Sequence, residues 1–218
     1  MPFADLLVGI VQVVVLLFLI IYSVRTSYTN QKILTYKLIV GAFFCCLMGV
    51  CFWLPYYYIM QDYPYGVSAA VFSFIGYYCF ILSANFSLKK NWTEEHTQAV
   101  KKYRLPAMAG PVITILFCLS YLFKPWQADN LITPMRIIEN SMLLISISIW
   151  AYVTLLYFLA TRKSSMSFFY GIVLLEILLE LLIFFFSIFT GPTYFILAYI
   201  QIIGWLFIIP AAKRAVSS

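Results

Sequence analysis

Seven apolar runs, at roughly 5–24, 36–59, 67–88, 105–123, 137–160, 168–189 and 193–211, constrain this chain more than any other feature. A helix rises about 1.5 Å per residue and the hydrocarbon slab of a bilayer is about 30 Å thick, so about twenty residues suffice for one crossing. Within hydrocarbon every backbone N–H and C=O must be paired inside the segment, which selects helices. The expected fold class is therefore all-α, a polytopic membrane protein built as a single seven-transmembrane-helix bundle over residues 1–218. With 64% hydrophobic and only 10% charged residues, the chain carries more apolar surface than one soluble core hides. Residues 5–22 have no basic segment before them and no small-residue cleavage site after them, so the first run is expected to be retained rather than removed as a signal peptide.

The gaps between runs are short and polar, and the last, Thr190-Gly191-Pro192-Thr193, makes spans six and seven antiparallel neighbours. Of the 14 Lys and Arg residues, only Lys124 and Arg136 fall on one side; the rest, from Arg25 to Arg214, fall on the other. Cytoplasmic loops carry the basic excess, so the N-terminus is expected outside and the C-terminus inside. The formal charge of +6 is spread over these loops and forms no single patch, which argues against nucleic acid as a partner. The longest cytoplasmic segment, Lys89 to Arg104, includes Trp92, Glu94, Glu95 and His96. It reads as an amphipathic stretch at the membrane surface, either an ordinary charged loop or a docking site for a cytoplasmic or membrane protein partner.

Glu176 and Glu180 lie inside the sixth run, in Leu-Leu-Glu-Ile-Leu-Leu-Glu-Leu-Leu. A spacing of four puts both on one helix face, and carboxyl groups are costly in hydrocarbon unless protonated, paired or hydrated, so that face is expected to look into the bundle. Gln201 falls at a depth similar to Glu180 and is its expected neighbour. An acid pair of this kind can share protons, bind a cation or recognise an amine. Alternatively it is interhelical glue, hydrogen-bonded to Gln201, Gln12 or a tyrosine. Glu139 and Asn140, at the outer end of the fifth run, form a second candidate, with pairing of Glu139 to Arg136 as the simpler account.

Trp53, Tyr56, Tyr57, Tyr58, Tyr63 and Tyr65 crowd the outer ends of spans two and three, with Tyr121 and Trp126 on the same side. They form an interfacial aromatic belt or a cage for a small amine or cation, with Asp62 or Glu139 as counter-charge. Pro55, Pro106, Pro111 and Pro210 lie in or beside spans and can bend them. The five cysteines lie in apolar stretches with no C-x-x-C spacing and read as buried thiols.

No cofactor is expected. The last run, Tyr194 to Pro210, has no lysine for a retinal Schiff base, and the single histidine, His96, sits in a polar loop. No G-x-S-x-G, H-E-x-x-H or Walker sequence is present. Tyr63-Pro64-Tyr65-Gly66 followed by Gly76-Tyr77-Tyr78 resembles the seven-helix sensory regions at the front of some bacterial histidine kinases and diguanylate cyclases. Those regions often carry an acid where Ala69 and Ala70 stand here, and no kinase or cyclase domain follows in these residues. The resemblance implies a stand-alone or truncated sensory module in a bacterial cytoplasmic membrane.

The leading expectation is a receptor-like or sensory protein that holds a small ligand among its helices and signals at its basic face. A proton- or cation-coupled transporter or channel subunit is the next, then a structural accessory subunit of a membrane complex. An enzyme acting on lipid comes last, since nothing stands ready to activate a nucleophile beside the acids.

Overall fold

The computed structural model of the chain describes residues 2–29, 34–59, 64–122, 134–186 and 192–217. Side chains are described for 6–29, 34–52, 54, 69–117, 138, 141–183 and 196–217. The described residues form helices and short turns without a strand. In chain order they are α1 (Pro2–Thr29), α2 (Leu34–Ile59), α3 (Pro64–Ser87), α4 (Glu94–Ala107), α5 (Ala109–Leu122), α6 (Pro134–Ala160), α7 (Met166–Phe186) and α8 (Pro192–Val216), with a 3-10 turn at Leu88–Asn91. Pro64, Pro134 and Pro192 open helices, at a position where the missing N–H costs nothing and the fixed φ favours the first turn.

Six of these helices, α1, α2, α3, α6, α7 and α8, are long and apolar enough to cross a membrane. Their polarity is inverted relative to a soluble domain. Ile21 is 69% and Val14 60% exposed, whereas Glu176 is 1% and Gln201 4% exposed. Apolar residues outside and polar residues inside is the arrangement that hydrocarbon solvent demands. Several hydroxyls on the spans bond back to their own helices: Ser73, Ser83 and Ser146 each donate to the carbonyl four residues back, at 2.8 Å. The chain is thus an all-helical integral membrane protein.

The six spans close a ring: α1 packs on α2, α2 on α3, α3 on α6, α6 on α7, α7 on α8, and α8 on α1. Small residues permit the close approaches. A Cβ on Gly41 of α2 would stand 2.8 Å from the Phe80 ring of α3, so a larger residue there would displace that ring. Thr35 and Ser87 join the same helices at one end, with 2.5 Å between their oxygens.

α3 and α6 run parallel. Tyr78 stacks on Trp150, with ring centroids 4.8 Å apart, and further along both helices Asn85 Nδ2 donates to Thr154 Oγ1 at 2.9 Å. The connection between them is α4 followed by α5, which lies antiparallel to α6: the Arg162 guanidinium sits over the Tyr103 ring, and Gly110 lies against the Ala151 backbone. The apolar run at 105–123 is divided between these two helices. Its first residues finish α4, Met108 makes a turn, and α5 continues to Leu122. Pro106 and Pro111 lack the N–H groups that would bond back by four residues, and the chain answers with a tighter bond from Met108 N–H to the Leu105 carbonyl at 3.0 Å.

The polar segment before α5 is more ordered than a surface loop. His96 Nδ1 accepts from the Thr93 backbone N–H at 3.2 Å and so caps α4, which gives the single histidine a structural role. Trp92 packs edge-on to Tyr157 of α6 at 4.6 Å between centroids. Every Lys and Arg with a described side chain lies at this end of the bundle.

Gly110→Val is expected to lower stability by about 1–3 kcal/mol, because the added Cβ would lie 3.0 Å from the Ala151 backbone with nowhere to move. The comparison is Gly171→Ala, whose Cβ would meet Phe158 at an ordinary 3.4 Å. Unfolding in mixed detergent micelles reads the difference, and equal stability of the two variants would show that α5 is not held tightly on α6.

Candidate functional site

The two glutamates of α7 are on one face, and the structure treats them differently. Gln201 of α8 donates from Nε2 to Glu180 Oε1 at 2.7 Å, the contact that depth along the two runs leads one to expect. Tyr78 of α3 also lies close enough to interact with Glu180, so this carboxyl meets side chains of two other helices. Glu176, one turn earlier, is buried, and neither of its oxygens has a hydrogen-bond partner in the chain. A buried acceptor left unpaired costs roughly 1–3 kcal/mol, and more if charged.

Glu176 is seated against α8 at Gly204. A Cβ on Gly204 would lie 1.8 Å from Glu176 Oε1, so only glycine lets the carboxyl occupy this position. Gly204 and Trp205 follow Gln201 by three and four residues, so the face of α8 that supplies the amide for Glu180 also supplies the gap for Glu176.

Three hydrogen-bond donors in the same core are also buried without partners: Tyr77 Oη of α3, Trp150 Nε1 of α6 and Trp205 Nε1 of α8. Tyr77 is close enough to Glu176 to interact with it electrostatically, and Tyr77 meets Trp150 edge-on with centroids 5.9 Å apart. Cys46 of α2, fully buried, is within electrostatic reach of both carboxyls. Five helices of the ring thus contribute to one interior cluster that combines carboxyl oxygens, free N–H and O–H groups and aromatic faces. This combination suits a small species that carries positive charge and accepts a hydrogen bond. No group of three His, Cys, Asp or Glu among the described residues could hold a metal ion.

Gln12 of α1 is half-buried, and no hydrogen bond joins it to Glu176. The side chains of Glu139 and Asn140 lie outside the described residues, as do those of Trp53, Tyr56, Tyr57, Tyr58 and Tyr65, and the whole of Tyr63. Sequence reasoning named Glu176, Glu180 and Gln201 and did not assign Cys46, Tyr77, Tyr78, Gly204, Trp150 or Trp205 to this cluster. For Gly204 and Trp205 a signal existed in their spacing from Gln201. For Trp150 there was none, because one tryptophan in an apolar run does not reveal which way it faces.

Known protein families, curated proteins and solved structures contain no match to this chain. The functional reading therefore rests on the site.

Gly204→Ala is expected to destabilise the protein by about 1–3 kcal/mol by displacing the Glu176 carboxyl, and Glu176→Ala in the same molecule to recover most of that loss. A double-mutant cycle on unfolding free energy measures the coupling; additive effects would mean that the glycine serves something other than the carboxyl. Gln201→Leu removes the donor to Glu180 and is expected to cost about 1–3 kcal/mol, read in the same unfolding assay.

Proposed function

We propose that this chain is a seven-crossing receptor-like or sensory membrane protein, with its N-terminus outside and its C-terminus in the cytoplasm, that binds a small amine or monovalent cation beside Glu176. The observation that carries the reading is the Glu176 carboxyl, buried with both oxygens unpartnered while its neighbour Glu180 accepts from Gln201. A chain that needed these acids only as glue gains nothing from leaving one without a partner. The ring faces of Tyr77 and Trp150 and the lone pairs of the Tyr77 hydroxyl add the contacts that would orient such a ligand. Binding can transmit a signal only by favouring one helix arrangement over another. Tyr77 and Glu176 stand on helices that end at the basic face, so a shift between α3 and α7 would be felt there.

The seventh crossing is the run at 105–123, the last residues of α4 with α5. It is supported by the parallel run of α3 and α6, which requires the chain to return between them, and by the antiparallel packing of α4–α5 on α6. A tag at the N-terminus is expected to be labelled by impermeant reagent on intact cells, and Ser217→Cys in a cysteine-free background only after permeabilisation. Labelling of both from one side would leave an even number of crossings and sink the topology.

The ligand reading is tested on the full chain in nanodiscs by tryptophan fluorescence, since Trp150 meets Tyr77 and Tyr78 and Trp205 follows Gly204 on α8. A series of primary, tertiary and quaternary amines together with Na+ and K+ is expected to give at least one saturable change, reduced at least about tenfold in affinity by Glu176→Gln, the loss of ~1.4 kcal/mol. No saturable response from folded protein, or one unchanged in Glu176→Gln, would refute the site. A transporter using the same carboxyl would in addition move the species in proteoliposomes, and the absence of flux with binding intact favours the receptor reading.

A further inference from the structure

Away from the glutamates, at the basic end, the turn between α6 and α7 and the start of α7 border an open groove of about 490 Å³. Its rim is polar, formed by Ser164, Ser165, Ser167 and Arg214 of α8. Its wall is apolar, formed chiefly by Phe158, Phe168 and Ile172.

The Arg214 guanidinium lies 5.4 Å from the centroid of the Phe168 ring, which holds the cation at the wall of the groove. No carboxylate among the described residues pairs with it. Ser164 and Ser167 donate to the carbonyls of Thr161 and Ser164, at 2.9 and 2.8 Å, while the Ser165 hydroxyl has no partner. The planar Arg214 cation at the mouth matches the oxygens of a phosphate ester. Arg162, Lys163 and Lys213 stand within two or three residues of the rim and deepen the positive potential there.

The apolar side decides the source of the phosphate. Phe168, Ile172 and Leu175 fall at intervals of four and three along α7 and so form a single stripe. Phe168 and Leu175 are 41% and 42% exposed on a helix apolar enough to span the membrane. The stripe leads from the phosphate-matching rim along the hydrocarbon-facing surface, as an acyl chain would. The geometry points to a binding site for the phosphate headgroup of an anionic phospholipid, with Arg214 as the recognition residue and the α7 stripe as the seat of one acyl chain. Basic pockets at the membrane-water boundary between spanning helices are suited to such lipids.

The full chain, extracted from vesicles of equal phosphatidylcholine and phosphatidylglycerol, is examined by native mass spectrometry for retained lipid. Wild type is expected to keep phosphatidylglycerol at least about fivefold over phosphatidylcholine, as one basic contact can supply. Arg214→Gln is expected to abolish the preference, and Lys213→Gln, which does not line the groove, to leave it. Gly171→Leu fills the groove without removing charge, its Cβ meeting only the Phe158 ring at 3.4 Å, and is also expected to abolish it. Loss of the preference in both Gln variants alike, or its survival in Gly171→Leu, would mean diffuse surface charge and overturn the site. If wild type shows no lipid preference, yet inorganic phosphate raises its melting temperature in pure phosphatidylcholine and Arg214→Gln removes that effect, the groove takes free phosphate and the lipid assignment falls. Neither result bears on the ligand beside Glu176, which is read by a different signal.

Discussion

The interior of this bundle is organised by the cost of placing two carboxyl groups among apolar helices. Hydrocarbon supplies neither water nor counter-ions, so each acid must find its partners inside the protein or remain without them. Glu180 finds an amide on the next helix, α8, and a phenol nearby on α3, which is distant in sequence. The arrangement of the surrounding side chains follows from this demand. Gln201 and Gly204 sit on one face of α8 because both glutamates sit on one face of α7, and the glycine is needed where the second carboxyl comes closest.

The outer architecture obeys the same solvent. Large apolar side chains such as Ile21 and Val14 face outward, and serine and threonine hydroxyls turn back onto their own helices. With side-chain polarity confined to the interior and the ends, helix contacts depend on close fit, and glycine supplies it between α2 and α3 and between α5 and α6. The parallel relation of α3 and α6 is the least local feature of the fold. It leaves the chain at the wrong end after α3, and α4–α5 is the element that leads back along α6.

Much of this was legible in the sequence because hydrocarbon imposes a length and a composition that can be counted. The positions of α1, α2, α3, α6, α7 and α8 follow from runs of apolar residues, and the Glu180–Gln201 contact follows from depth along two neighbouring runs. The division of the run at 105–123 was harder to see. Hydropathy does not register that Pro106 and Pro111 withhold two N–H groups within one turn and a half, and those missing donors place the break at Met108. The composition of the cluster was also hidden. Tyr77, Trp150 and Cys46 lie on three other helices, and no spacing within a run tells which of its faces meets α7. Trp92 shows the same limit: it lies in a polar segment, yet packs on Tyr157 because α4 folds against the end of α6.

The unequal treatment of the two acids is the strongest reason to read the cluster as more than glue. A polar network that serves only packing lowers its free energy by satisfying every member, since an unpaired group costs as much as a good hydrogen bond contributes. Here the same core holds an acid with no donor and three donors with no acceptor, although Tyr77 and Glu176 are near enough to feel each other. Gly204 leaves room for the Glu176 carboxyl against α8, and the Tyr77–Trp150 and Tyr78–Trp150 contacts set the position of the rings on the other side. On the proposed reading, a ligand held beside Glu176 and against these ring faces would be coupled to the spacing of α3, α6, α7 and α8.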